Sequence, residues 1–361
     1  MTQPTSPYTR IRPTDGTSDP RPVSTRVPPI PDPPEPPEPT DIDAELFAKA
    51  ALLMGSQPVI PNPALQALAA HRVARDALVQ DRLDAFREQT TAMYATREGR
   101  AQLSPPFHMG EGITPPENRQ LVASIARGLG MSDSEILYLQ VGRGKPDQIR
   151  RVTQSLIDAG RLPSPATGLS LADRVRIMMR DHGVGLDCAG YVAQAFSASR
   201  EGESAGALLR SRRPDTERLA DLSSRGFSRL PLGLARPGDL VILGKPPNES
   251  VGHTAIVYAA REATPEDRAF LAVRINERNK VDPNRPELQA IASARRLHVI
   301  VVDSSWGDAG DWKHGGVERR SWWNDESTGK WGWTDTAGMG WVTNQPCFHP
   351  VEGVYRPTSE P

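Results

Sequence analysis

A cysteine stands at the start of an apolar stripe in the segment GLDCAGYVAQAF, residues 185–196. The apolar residues after Cys188 recur at helical spacing, which predicts that this cysteine lies at the N-terminus of a helix. The amides and dipole of a helix N-terminus favour negative charge, and the thiolate is the nucleophilic form of cysteine. We therefore expect Cys188 to be a nucleophile with a pKa below the ~8.5 of a free thiol. The alternative is a buried cysteine that only packs.

A nucleophilic thiol needs a base that takes its proton, and His253 is the best placed of the seven histidines. It opens the strand-like run HTAIVYAA, and a rigid strand would hold its imidazole in place. The next strand-like run, LHVIVVDSS, offers Asp303 as the group that orients the ring, with Ser304 and Ser305 as weaker candidates. This order predicts a hydrolase of the Cys-His-Asp type. The alternative for His253 is a sheet-edge histidine without a chemical role.

The composition excludes several other classes of protein. With 43 basic and 44 acidic residues the net charge is −1, so we expect no nucleic-acid partner. The cysteine and histidine spacings fit no zinc site, and thiol chemistry needs neither a metal nor an organic cofactor. No stretch approaches the ~18 apolar residues of a membrane span. The segment MTQPTSPYTRIRPTDG lacks the apolar core of a signal peptide, so we expect synthesis in the cytoplasm and export or injection by a signal-independent route.

The elements that must position these residues are a helix and then a series of strands. The segment SLADRVRIMMRDHG predicts a helix before the cysteine, and a helical insert, TPEDRAFLAVRINE, separates the later strands. The predicted strands are DLVILG, HTAIVYAA, LHVIVVDSS and VEGVYRP. A helix followed by strands, without strict alternation, indicates the α+β class.

The chain before this part divides into two further regions. Residues 1–40 are rich in proline and predict a disordered, polyproline-like arm. Residues 41–162 carry only helical periodicity and predict an all-helical accessory or adaptor region, with a helix that begins at Pro63 and a Ser132–Glu135 capping box. We expect residues 163–361 to form the catalytic domain and to fold alone.

Four segments, LDCAGYVAQAF, RPGDLVIL, VGHTAIVY and VEGVYRP, resemble motifs of the NlpC-type branch of papain-like cysteine peptidases. The resemblance covers residues 168–357 and rests on the order and spacing of the motifs together. It implies a papain-like core, in which a nucleophile helix packs on an antiparallel sheet. It also implies cleavage of peptide bonds in the stem peptides of bacterial peptidoglycan. Cys188 matches the nucleophile, His253 the base and Asp303 the third member, and Asp187 matches a residue that shapes the turn before the nucleophile.

The sequence also departs from the family pattern. The aromatic segment that precedes the family's cysteine is replaced by MMRDHGVG, which removes a tyrosine near the oxyanion site and leaves His182 as a candidate for its place. The third residue of the family is often histidine, whereas this chain offers Asp303. A helical insertion follows the histidine strand. These differences bear mainly on the substrate.

All seven tryptophans lie between residues 306 and 341. They form either part of the core or the wall of a substrate cleft, because tryptophan buries a large area even in irregular structure. Trp306, close to Asp303, is the candidate wall residue. Together with Ser304, Asp187 and His182 it makes up the predicted substrate-binding set.

The sequence leaves three functions open. The first is a peptidoglycan endopeptidase, delivered as an antibacterial effector or carried as a particle-associated lysin. The second keeps the papain-like fold in a deamidase, acyltransferase or protease that acts on a protein of a target cell. The third is a non-catalytic structural component of a secretion or phage-like particle. In each case residues 1–162 are the candidate contact to a secretion apparatus or particle.

Overall fold

The computed structural model describes residues 63–108, 114–165, 168–200, 226–243, 253–279, 293–307, 316–325, 330–335, 341–343 and 351–358. The proline-rich arm predicted for residues 1–40 and the beginning of the predicted helical region lie outside these stretches, as does Cys347. None of the described helices has the length and apolar character that crossing a membrane requires.

Before the nucleophile the chain forms helices and one hairpin. The helices are α1 (Pro63–Thr90), α2 (Pro116–Gly128), α3 (Asp133–Gln140) and α4 (Pro146–Asp158). The hairpin consists of β1 (Ala92–Thr96) and β2 (Gly99–Leu103), which pair antiparallel. Ser132 and Glu135 form the predicted capping box at the start of α3, where each side chain bonds the other residue's backbone N–H.

The prediction that residues 41–162 are all helical is wrong over residues 92–103. The segment AMYAT alternates between buried and exposed side chains, so Tyr94 is fully buried whereas Met93 is 52% exposed. Gly99 has a φ of +135°, a conformation that glycine adopts without steric cost and that closes the turn. The helix that begins at Pro63 therefore ends at Thr90, and Met93 lies on a strand.

After residue 163 the described chain is α+β, as predicted. Two helices, α5 (Leu171–Asp181) and α6 (Cys188–Ser199), precede the sheet, and α7 (Pro265–Asn279) follows β5. The strands are β3 (Phe227–Leu230), β4 (Leu240–Leu243), β5 (His253–Glu262), β6 (Leu297–Trp306), β7 (Gly316–Asp325), β8 (Lys330–Asp335), β9 (Trp341–Thr343) and β10 (Val351–Pro357). They form one antiparallel sheet in the order β3-β10-β4-β5-β6-β7-β8-β9.

The central strands are buried on both faces. Helix α6 places Tyr191, Val192 and Phe196 in one apolar cluster with Ile242 and Ile256 of the sheet. The alternate residues of the same strands belong to a second cluster on the other face, formed by Val241, Ala255, Val257, Ile300, Val302, Trp306 and Trp322. All four residues of β4 are buried, which explains why its sequence, LVIL, is a continuous apolar run.

The same core continues into the helices before residue 163. Leu83 and Phe86 of α1 and Leu156 of α4 belong to the cluster that contains Tyr191 of α6, and the ring of Phe86 lies 5.4 Å from that of Tyr191. All described residues belong to one compact unit, Pro63–Pro361. The boundary predicted between residues 162 and 163 therefore lies inside a continuous core.

Candidate active site

Cys188 is the first residue of α6, as the sequence predicts. Its side chain is 7% exposed, and it is a free cysteine. Asp187 caps the helix, because its carboxylate accepts a hydrogen bond from the Gly190 N–H. A side chain at residue 190 would overlap the carbonyl oxygen of Gly142, so glycine is required for this close crossing.

The thiol of Cys188 lies against the start of β5. The backbone N–H of Thr254 and that of Ala189 both donate hydrogen bonds to the sulfur. Thr254 directly follows His253, the first residue of β5. The predicted nucleophile and the strand that carries the predicted base are therefore in direct contact.

The expectation that the pKa of Cys188 is low is wrong for this arrangement. Burial and, to a smaller extent, the negative charge of Asp187 together raise the pKa of the Cys188 thiol to about 12. The backbone N–H groups of Thr254 and Ala189 oppose this rise, but they are outweighed. Cys188 is a protonated thiol at neutral pH, so any reaction at its sulfur must begin with the transfer of its proton to a base.

His253 is buried and bonds to Ser304. The distance from His253 Nε2 to Ser304 Oγ is 3.2 Å, and Ser304 Oγ also donates to the carbonyl oxygen of Thr254 at 2.7 Å. A hydroxyl has one proton, which the bond to Thr254 uses, so Ser304 Oγ accepts a hydrogen bond from the Nε2–H of His253. In that tautomer the lone pair that can accept a proton is on Nδ1.

Trp306 packs on the imidazole. The centres of the His253 and Trp306 rings are 4.3 Å apart with 30° between the ring planes. Trp306 Nε1 donates to the carbonyl oxygen of Glu318 at 3.0 Å, and the guanidinium of Arg320 lies 4.3 Å from the centre of the indole. Trp306 is 7% exposed. In the structure this residue packs beside the base, rather than forming an open cleft wall.

Asp303 does not contact His253 in the described structure. Its carboxylate makes two hydrogen bonds to Arg319, from Nε at 2.7 Å and from Nη2 at 2.8 Å. Successive side chains of a strand point to opposite faces, so Asp303 and Ser304 cannot both face His253. The sequence ranked the two in the wrong order, because the hydroxyl of Ser304 makes the bond that was predicted for Asp303.

Asp303 belongs instead to a network that joins the sheet to α1. Arg319 Nη2 also bonds Asp84 of α1 at 2.8 Å, and Tyr258 OH donates to the other oxygen of Asp84 at 2.8 Å. The guanidinium of Arg319 lies over the ring of Tyr258. Burial raises the pKa of Asp303, and Arg319 opposes that rise.

His182 ends α5. Its Nδ1 is 2.8 Å from the carbonyl oxygen of Met178, and because a carbonyl only accepts, Nδ1 carries the proton. The ring thus closes the last turn of the helix. Among the described contacts none joins His182 to Cys188, so its predicted place at the oxyanion site stays a prediction.

Leu186, Gly142 and the 106–108 segment, none of which was a predicted site residue, help to hold Cys188 in place. Leu186 pairs with the 106–108 segment, donating to Pro106 O and accepting from His108 N–H, both at 3.1 Å. Its carbonyl also accepts from Ser305 Oγ at 2.7 Å, and Asp187 N–H donates to Gly142 O at 2.8 Å. The only sequence signal for these contacts is the glycine at 142, which has a φ of +76°.

The site carries no obvious metal ligands: no three acidic, histidine or cysteine side chains among the described residues are grouped so as to hold a metal ion. No family model matches the sequence, and no curated protein and no solved structure matches it.

Proposed function

We propose that this protein is a cysteine hydrolase that cleaves amide bonds in the stem peptides of bacterial peptidoglycan. The observation that carries the proposal is the hydrogen bond of 3.2 Å between His253 Nε2 and Ser304 Oγ. It fixes the imidazole on the strand whose next residue, Thr254, donates to the sulfur of Cys188. A nucleophile, a base and an orienting group in this order are the parts that thiol hydrolysis requires.

The fold supports this assignment. Helix α6 carries Cys188 at its N-terminus and packs on an antiparallel sheet, in which β5 supplies His253 and the neighbouring β6 supplies Ser304. We propose that this arrangement is a papain-like core, because the sequence motifs of this chain resemble those of the NlpC-type branch of papain-like peptidases. The amide-cleaving chemistry and the peptidoglycan substrate follow from that resemblance.

In the proposed reaction His253 acts as a general base rather than as the partner of a preformed thiolate. Nδ1 takes the proton of Cys188 as the sulfur attacks the carbonyl carbon of the scissile amide. The imidazolium then gives this proton to the leaving nitrogen, the C–N bond breaks, and a thioester remains on Cys188. Water, deprotonated by His253, hydrolyses the thioester and restores the thiol. Throughout the reaction Ser304 Oγ accepts a hydrogen bond from the Nε2–H of His253, which keeps the ring in the required tautomer.

The test is a digest of purified peptidoglycan by the full-length protein. We expect new free amino groups and shortened stem peptides in the mass spectrum, and no release by the Cys188→Ala variant. Peptidoglycan that stays uncleaved after this treatment would overturn the proposal that it is the substrate. If the same preparation instead deamidates or cleaves a protein in a Cys188-dependent manner, the papain-like hydrolase would stand with a protein substrate.

A further inference from the structure

A largely buried carboxylate lies beside Cys188. Asp187 immediately precedes Cys188, and its side chain accepts from the Gly190 N–H. The other carboxylate oxygen, Oδ2, lies 3.5 Å from Arg143 Nε. The side chains of Asp187 and Arg143 are each only 11% exposed. Asp187 and Arg143 therefore form a buried ion pair at the N-terminus of the nucleophile helix.

The surrounding backbone leaves this carboxylate no other place. Asp187 N–H is bonded to Gly142 O, and the carbonyl of Leu186 accepts from both Ser305 Oγ and His108 N–H. A side chain at Gly190 would overlap Gly142, so the two segments are already in contact. These contacts hold the turn that carries Asp187 and Cys188 against the 106–108 and 142–143 segments.

Two negative charges on adjacent residues in a buried site repel each other strongly. The charge of Asp187 contributes to the raised pKa of Cys188. Burial in turn raises the pKa of Asp187 to about 6, although Arg143 and the Gly190 N–H oppose this rise. The other titratable groups packed on this turn are His108, whose pKa burial lowers, and His253 on β5.

We propose that Asp187 is a positioning residue that restrains Cys188: its ionised carboxylate suppresses formation of the thiolate, and protonation of that carboxylate removes the suppression. Arg143 sets the pH at which this happens, because it favours the ionised form of Asp187. An effect of Asp187 on catalysis rests on the proposed function. The effect of its charge on the ionisation of the Cys188 thiol does not, and it can be measured without a substrate.

The test measures alkylation of Cys188 by iodoacetamide in the full chain as a function of pH, with the modified peptide quantified by mass spectrometry. In the wild type we expect the logarithm of the rate to rise with pH and to flatten near pH 6, where Asp187 ionises. The Asp187→Asn variant keeps the capping oxygen without the charge, so its profile should rise without that step.

The size of the effect follows from the thiol chemistry. Removal of the charge should lower the pKa of Cys188 by about one unit, which gives ~10-fold more thiolate at neutral pH. Each thiolate is then less nucleophilic by roughly threefold, so the net alkylation rate should rise about threefold. Arg143→Gln should move the step in the wild-type profile to higher pH, because Asp187 then ionises less readily.

Two further variants make the result decisive. Asp187→Ser also keeps a capping oxygen and serves if the Asn variant does not fold. Asp239→Asn is the matched control, because Asp239 is a buried carboxylate paired with Arg356 at the opposite end of β4 from His253. The control should keep the step near pH 6. If Asp187→Asn or Asp187→Ser keeps that step, or if Asp239→Asn loses it, the proposal is overturned.

The measurement separates this proposal from the proposed function. If the step is lost in Asp187→Asn but the wild type cleaves no substrate, the result would support the coupling between Asp187 and Cys188 and count against the hydrolase. Cleavage by a Cys188-dependent reaction with an unchanged step in Asp187→Asn would support the hydrolase and overturn the coupling.

Discussion

At the scale of single residues, the tautomer of His253, the proposed base, depends on one hydroxyl group. Ser304 is fully buried, and its hydroxyl proton is donated to the Thr254 carbonyl. Its oxygen can therefore only accept a hydrogen bond from His253 Nε2–H. A neutral acceptor stabilises an imidazolium less than a carboxylate does. The site therefore relies on Ser304 for the tautomer and orientation of the ring, rather than for a strong shift of its charge.

Replacing Ser304 tests this role. In Ser304→Ala the Nε2–H is buried without its partner, which costs about 1–3 kcal/mol, or roughly 5- to 150-fold in rate if the loss falls on the transition state. We expect kcat to fall within that range and KM to stay nearly unchanged in steady-state kinetics. Thr254→Val is the control, because it removes a buried hydroxyl of β5 that bonds Val241 rather than His253. A larger loss of kcat in the control would contradict the assignment.

Asp187 also predicts a pH dependence of stability. Its pKa is about 6 in the folded protein against 3.8 ordinarily, so the folded state binds the proton more tightly than the unfolded state. The resulting stability is complete below the unfolded pKa and is lost as the pH rises through about 6. A difference of about two units corresponds to ~3 kcal/mol.

The Asp187→Asn variant lacks this titration. Its free energy of unfolding should therefore improve relative to wild type by ~3 kcal/mol between about pH 4 and about pH 7. Urea unfolding at the two pH values measures the change, which does not depend on the constant cost of leaving Arg143 unpaired. Parallel pH dependences of the two proteins would contradict the shifted pKa of Asp187.

At the scale of elements, local patterns predict where helices and strands begin but not which way their side chains point. A proline and a capping box identified the starts of α1 and α3, and the apolar spacing after Cys188 identified the start of α6, because these signals lie within a few residues of each helix end. The choice between Asp303 and Ser304 depends on which face of β6 meets His253. That is set by the pairing with β5, which contains an irregularity between Val257 and Ala259. No local pattern reports such a shift.

The network around Arg319 shows what Asp303 does instead. Asp303 is fully buried, whereas the side chain of Asp84 is 43% exposed, yet both bond Arg319. Breaking a buried pair leaves an uncompensated charge and costs about 3–5 kcal/mol, whereas an exposed pair contributes about 1 kcal/mol or less.

We therefore expect Asp303→Asn to lower the free energy of unfolding by ~3–5 kcal/mol. The control Asp84→Asn, which removes the more exposed partner of the same arginine, should lower it by about 1 kcal/mol or less. Urea unfolding gives both values. Activity at low temperature, where each variant is still folded, should fall less for Asp303→Asn than for Ser304→Ala. The reverse order would return Asp303 to the catalytic machinery.

At the scale of the whole molecule, the helices before residue 163 and the sheet share one core. The contacts that join them, such as that of Asp84 with Arg319, link residues 235 positions apart, and no local sequence pattern predicts a pairing over that separation. Composition and periodicity change near residue 163, which suggested a domain boundary. The described residues on both sides of that position nevertheless belong to one compact unit.

A chain that begins at Pro163 should therefore not fold alone, although the sequence motifs all lie after that residue. It would expose the apolar face of α6 that packs on Leu83 and Phe86, and it would lack Arg143 and Gly142 beside the nucleophile. We expect it to lose cooperative unfolding in urea, while a chain that begins at Pro63 retains it. Cooperative unfolding of the shorter chain with a reactive Cys188 would re-establish the predicted boundary.

The position of β10 in the sheet has a consequence for how the protein is made. β10, Val351–Pro357, lies between β3 and β4, so two strands made early must wait for a partner that the ribosome delivers last among the described strands. Pairing across such a sequence separation is slow, and unpaired strand edges invite association with other chains. During synthesis the strand beside His253 lacks one neighbour. A nascent chain therefore has no complete sheet beneath Cys188 until translation has passed β10.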